Sequence, residues 1–210
     1  MKQDLLILFT AAMMGCLGCD NNKQTTAPVP VEQKTAEVIN DPSKDTAAIR
    51  LVVADFYNWY NKSSEEVQRY HLYSSINKKE SPHYKINWEE VEKYQAYIRK
   101  SVPWLGDEFL KNQKLFLQQC DSAFRVDVED DIPYGFDYDW YTNSQEGPEY
   151  LLDAMYRGLS SWDIMVNGDA ATVKLTGFND HRGKQERITY LSLAMKKEKG
   201  NWKIAKIGMD

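Results

Sequence analysis

The chain has 210 residues, of which 42% are hydrophobic and 12% aromatic, with three cysteines and a formal net charge of −5. That is enough apolar material for one core and one folded domain. An acidic excess excludes a general nucleic-acid binder, because phosphate contacts need clustered Lys and Arg.

The N-terminus carries Lys2, then the apolar run Leu5-Leu6-Ile7-Leu8-Phe9-Thr10-Ala11-Ala12-Met13-Met14, then Gly15-Cys16-Leu17-Gly18-Cys19 and an abrupt polar turn at Asp20-Asn21-Asn22-Lys23. A membrane-spanning helix needs about 20 apolar residues, so the run is too short to span and reads instead as an export signal. Its end resembles the bacterial lipobox, in which a small residue precedes the cysteine that is diacylated and becomes the mature N-terminus. Cys19, preceded by Leu17-Gly18 and followed by a polar run, is the expected lipidation site, and Cys16 is the alternative. Residues 1–18 are then a lipoprotein signal peptide, and the protein is expected at the bacterial cell envelope, held to a membrane by acyl chains worth about 0.8 kcal/mol per buried CH₂. Removal of Cys16 and acylation of Cys19 leave Cys120 as the one thiol of the mature chain. No intramolecular disulfide is then possible, and Cys120, on a helical apolar stripe without a paired His, reads as a buried structural thiol.

Residues 19–44 hold Pro28, Pro30 and Pro42 among Thr, Lys and Glu with no aromatic side chain, the composition of a flexible tether. The domain is expected from residue 45 to 210. Ile49, Val52, Val53, Phe56, Tyr57 and Tyr60 make one apolar helix face, which Asn61-Lys62-Ser63-Ser64 is expected to end. The stretch to Asn87 reads as a long irregular connection, with Ser81-Pro82 inside it. Asn87 reads as the N-cap of a second helix to about Lys100, opened by Trp88, Glu89 and Glu90. Pro103 fits the first turn of a third helix whose apolar face is Phe109, Phe116, Cys120, Ala123 and Phe124.

Residues 125–149 alternate acids and aromatics around Pro133, Gly135 and Gly147, which predicts mostly loop with one short strand. The remainder predicts an antiparallel meander. Trp162, Ile164 and Val166 lead into the tight turn Asn167-Gly168-Asp169, and Val173 and Leu175 lie beyond it. A second turn at residues 179–183 precedes the alternation from Ile188 to Met195, and Lys199-Gly200-Asn201 leads into Trp202, Ile204 and Ile207. Helices followed by a meander make the fold class α+β.

Three features in order carry a resemblance: the Phe56-Tyr57-Asn58-Trp59-Tyr60 helix after the tether, the segment from Asp137 to Glu146, and the Trp162 strand with its Gly168-Asp169-Ala170 hairpin. Together they resemble a bacterial lipoprotein family of the domain-of-unknown-function type numbered 3828, over roughly residues 47–208. The resemblance implies a cystatin-like fold related to nuclear transport factor 2, with N-terminal helices packed on one face of a curved antiparallel sheet. Relatives of that fold include SnoaL-like enzymes with a pocket between sheet and helices. Fold does not carry function across, and the resemblance transfers no catalytic residue.

The acidic segment is the candidate ligand or ion loop. Asp127, Glu129, Asp130, Asp131, Asp137 and Asp139 supply oxygens, interleaved with Tyr134, Tyr138, Trp140 and Tyr141 and followed by Gln145 and Glu146. An EF-hand counted from Asp137 would need Gly at its sixth position and Glu at its twelfth, where Thr142 and Pro148 stand, so calcium ligation is not supported and the metal remains unknown. A solvated loop, or a loop closing the open end of the sheet, is the expected reading, and the alternative is sugar or peptidoglycan binding, with aromatic faces stacking on sugar rings and carboxylates bonding hydroxyls.

His71, His83 and His181 are too dispersed for a metal pair and read as surface residues; Asp55 and Asp163 read as surface acids. There is no glycine-flanked nucleophilic serine, phosphate loop, two-cysteine zinc pair or histidine-glutamate zinc helix. No catalytic residue and no cofactor are therefore expected. The expected function is a non-enzymatic binding domain for an envelope protein or glycan. The alternatives are a small-molecule or catalytic pocket of the SnoaL-like type and a periplasmic immunity protein against a secreted toxin. A deep pocket lined by two or more carboxylates or histidines with shifted pKa would favour an enzyme; one filled by Trp and Tyr side chains would not.

Overall fold

The computed structural model describes residues 42–76, 83–126, 132–157, 160–181 and 183–208. Cys16, Cys19, most of the tether, and Asp127, Glu129, Asp130 and Asp131 lie outside the described residues.

The first helix, α1 (Pro42–Gln68), opens at a proline, which the first turn tolerates because its N–H would have no intrahelical partner. It does not stop at residues 61–64 as expected. Serine lowers helix propensity by only a few tenths of a kcal/mol, and Val67, seven residues beyond Tyr60 on the same stripe, is buried and anchors two further turns. The connection that follows contains a small antiparallel pair, β1 (Tyr73–Ser75) and β2 (Tyr84–Ile86), in place of the irregular chain predicted. Three residues per strand are too few for alternation to register, and the pair is held by side chains packed across it, with the Tyr73 and Tyr84 rings 5.9 Å apart.

Helix α2 (Trp88–Ser101) begins where expected, with Glu89 and Glu90 in its first turn. Asn87 holds the N-cap position, but its side chain makes no capping bond; its backbone N–H bonds the Leu72 carbonyl at 2.9 Å. Helix α3 (Asp107–Phe124) starts four residues after Pro103, not at it. The turn before it serves the sheet: Ile204 N–H donates to the Trp104 carbonyl at 2.8 Å and Gly106 N–H to the Ile204 carbonyl at 3.0 Å. The α3 N-terminus is met by a carboxylate distant in the chain, Glu198, whose oxygens accept from Asp107 N–H (3.1 Å) and Glu108 N–H (3.4 Å). A fourth helix, α4 (Pro148–Tyr156), was not foreseen, although Gly147-Pro148-Glu149 is a helix start.

The C-terminal meander is the antiparallel sheet expected, in the order β3-β4-β5-β6: β3 (Ser160–Asn167), β4 (Ala170–His181), β5 (Lys184–Glu198) and β6 (Asn201–Ile207). Its turns fall at the glycines, with Gly168 at φ 59° and the Lys199-Gly200 pair at 52° and 80°, the left-handed values a two-residue hairpin needs. The middle turn is tighter than read from sequence: residues 179–181 belong to β4, and His181 pairs with Lys184. Register shifts at Leu175/Thr176 and Ala194/Met195 mark bulges, which bend strands and increase their twist.

One sheet face is apolar in register, with Ile164, Val173 and Leu193 side by side across β3, β4 and β5. Ile49, Val53, Phe56 and Tyr57 of α1 join that core with no exposed surface, as do Val91 and Ile98 of α2 and Leu117 of α3. The architecture is therefore α+β, with helices on one face of an antiparallel sheet. Among the described residues, no helix is long and apolar enough to cross a membrane.

Candidate functional site

The segment from Ile132 to Gly147 leads into α4 and is fastened at its centre by Asp139. Asp139 Oδ1 accepts from Tyr141 N–H (2.7 Å) and Thr142 N–H (3.4 Å), while its backbone N–H reaches the Ser144 carbonyl at 2.9 Å. Asp139 Oδ2 accepts the Tyr60 hydroxyl at 2.6 Å. Both carboxylate oxygens are thus engaged by the protein. The short strand predicted in this region is a single bridge, Asp139 with Ser144, and Asn143 turns the chain at φ 51°, a conformation asparagine tolerates.

Tyr141 goes into the core. Its ring packs 4.7 Å from Tyr60, 5.8 Å from Phe56 and 5.9 Å from Phe109, and its carbonyl accepts the Tyr57 hydroxyl at 2.7 Å. Its hydroxyl bonds that of Tyr94, which also accepts from Gln113 Nε2 at 2.7 Å. Burial raises the Tyr57, Tyr60, Tyr94 and Tyr141 hydroxyls above the ordinary tyrosine range, Tyr94 to about 12. They are neutral at physiological pH and serve as hydrogen-bonding groups. Aromatic rings of α1, α3 and the loop therefore pack against one another at this end.

The loop does bring predicted residues to the surface together, in three clefts that share Tyr138. One, of about 540 Å³, lies between the loop and β1 and reaches Tyr60, His71, Ser74, Asp139 and Trp140. Another, of about 640 Å³, lies between the loop, α3 and the end of β6, and is lined by Asn112, Gln113, Gln119, Asn143, Trp140 and Lys206 among others. The third, of about 560 Å³, lies between Phe116, Tyr134 and Asp137. Trp140 lines the first two. Its indole N–H donates to the Gly135 carbonyl at 2.6 Å, and its ring stands edge-on to Phe116 at 5.6 Å.

The other predicted loop residues lie at the surface. Asp137 is exposed and its carbonyl accepts from Gln145 Nε2 at 3.4 Å; Glu146 is exposed, with its N–H on Ser144 Oγ at 2.8 Å. Among the described residues, no three His, Cys, Asp or Glu gather as metal ligands. His83 is a correction: it is 8% exposed, buried at the start of β2, where its carbonyl accepts the Ile76 N–H at 2.8 Å. His71 is exposed as expected, and Asp55 and Asp163 line none of the three clefts. Cys120 is fully buried, and burial pushes its thiol up to about 12.

Gln113, Asn112 and Gln119 were not singled out from sequence. Gln113 had a signal: it occupies an apolar helix stripe, four residues after Phe109 and four before Leu117. Asn112 and Gln119 had none, since polar residues on a helix surface are ordinary. No protein-family model, curated protein or solved structure matches this chain.

Proposed function

We propose that this chain is a lipid-anchored envelope protein of the domain-of-unknown-function type numbered 3828, whose α+β domain is a binding module without catalytic activity. Support for the anchor is the apolar run closing on Gly18-Cys19, followed by a proline-containing tether. The observation that carries the binding reading is the arrangement of the three clefts around Tyr138, outside a core filled with aromatic rings. Asp139, the carboxylate nearest the tyrosines, has both oxygens bonded within the protein, which commits it to holding the loop.

The test has two parts. Intact mass of membrane-extracted protein reads a diacylated chain starting at Cys19; an unmodified chain overturns the anchor. A photo-crosslinking residue in place of Tyr138 in the full chain, irradiated in envelopes, captures a specific envelope protein or glycan; the same adducts from a crosslinker at exposed Met165, on the other sheet face, overturn the binding site.

A further inference from the structure

We infer that the groove around Tyr138 binds an uncharged saccharide chain, with sugar rings against Trp140 and Tyr138 and hydroxyls on the amides of Asn112, Gln113, Gln119 and Asn143. The inference names a ligand class for the binding module proposed above and rests on that reading.

The amides come first. Four carboxamides line the 640 Å³ cleft, and no carboxylate does. A carboxamide presents an acceptor oxygen beside a donor NH₂, which matches a sugar hydroxyl that both donates and accepts. A charged ligand would call for a set of opposite charges, and Lys206 is the one ionic side chain lining this cleft. The volume falls in the range of about 300–1,000 Å³ usual for small-ligand sites.

Gln113 is the residue that points to an occupant. It is 7% exposed, and its Nε2 is committed to Tyr94, while its Oε1 is buried with no partner. A buried amide oxygen left unpaired costs about 1–3 kcal/mol, and the stripe it interrupts is otherwise apolar, so a leucine there would be cheaper for folding alone. A small turn of the amide toward the cleft that Gln113 lines would let a ligand hydroxyl, directly or through one water, supply the missing donor.

The aromatic platform is fixed before anything binds. Trp140 is locked by its bond to Gly135 and by Phe116 and Phe136, at 5.6 and 4.9 Å, so stacking a ring on it immobilises little. Asn112 is fixed likewise, its Nδ2 donating to the Ala205 carbonyl at 3.0 Å. Tyr138 lines all three clefts and Trp140 two, so the surface continues around the loop and suits several linked sugar units better than one.

The test is a titration of the full chain in detergent with the N-acetylglucosamine hexamer, with maltohexaose, and with a sulfated heparin hexasaccharide, followed by tryptophan fluorescence and calorimetry. Two variants preserve the fold: Asn143→Gly keeps the left-handed turn, and Gln119→Ala changes an exposed helix position. A neutral hexamer is expected to bind, and each variant to weaken it about fivefold, the loss of one neutral hydrogen bond, with thermal midpoint unchanged. Binding of the sulfated chain alone, or neutral binding untouched by both variants, overturns the inference. Failure of every saccharide while a crosslinker at Tyr138 still captures an envelope protein overturns the saccharide and keeps the binding module; failure of both overturns both.

Discussion

The Tyr60 hydroxyl donates to Asp139 Oδ2 across 2.6 Å, joining the C-terminal part of the first helix to a loop 79 residues later. Because Asp139 Oδ1 simultaneously holds the Tyr141 and Thr142 N–H groups, this one carboxylate sets the loop's shape and its distance from α1. Tyr60→Phe keeps the ring but removes the donor. It should destabilise the protein by about 1.5–3 kcal/mol, the range for a hydrogen bond to a charged group. Urea unfolding measures the loss, and a change below about 0.5 kcal/mol would show that the loop is held by packing alone.

The tyrosine cluster predicts a steep alkaline limit. Tyr57, Tyr60, Tyr94 and Tyr141 are all raised in the folded state, mainly by burial, so the unfolded chain loses these protons first as pH climbs. Their contribution to stability is full below the unfolded value near pH 10 and is lost as pH rises toward the folded values. With all four protonated in the native state, stability should fall by up to about 5 kcal/mol per pH unit above that point. Absorbance at 295 nm and circular dichroism recorded together check it: these tyrosines should ionise in the same transition in which the fold is lost.

Asp45 works at the opposite end of the scale. Its carboxylate accepts the Trp202 indole N–H at 2.9 Å and the Lys197 ammonium at 3.0 Å, and those two bonds lower its pKa. A depressed carboxylate contributes stability that is present above the unfolded value near pH 4 and is lost as pH falls through the folded value. Asp45→Asn should therefore cost about 1–3 kcal/mol at pH 7. Guanidinium titrations from pH 7 downward should show the gap between wild type and variant narrowing as the pH falls below about 4; a gap that stays constant across that range would place the effect in packing.

Cys120 should resist thiol reagents. It is fully buried with its pKa raised to about 12, so thiolate is scarce and access is closed. Ellman's reagent should leave it unmodified in the folded protein and titrate it in denaturant; rapid labelling of native protein would mean that α3 opens locally.

Gly135 should tolerate no side chain. It sits at φ 81°, and an added Cβ would lie 2.7 Å from the Phe116 ring and 2.9 Å from Cys120 Sγ. Gly135→Ala combines left-handed strain of about 1–2 kcal/mol with overpacking of about 1–3 kcal/mol. Its melting temperature should drop accordingly, and the Trp140 emission should shift, because the Gly135 carbonyl that holds the indole moves.

Local chemistry explains which parts of the fold were legible. The hairpins at Gly168 and Gly200 were readable because two-residue turns need left-handed backbone and flank alternating strands. The α4 start was also written locally, in Gly147-Pro148-Glu149, but the acidic, aromatic run before it obscured the change of period. The end of α1 was misplaced because Ser63-Ser64 weakens a helix without stopping it, and the burial that extends it at Val67 depends on tertiary packing. The loop from Asp137 to Glu146 was readable as a candidate site by composition. Its division into an inward Tyr141 and outward Tyr138 was not, since the bond from Tyr60 that fixes it joins residues far apart in the chain.

The turn between α2 and α3 has a consequence for the outer edge of β6. By bonding Ile204, residues 104–106 cover that edge at its centre. A foreign strand could not pair along the whole of β6 without displacing this turn, so the turn shields one edge of the sheet from strand addition.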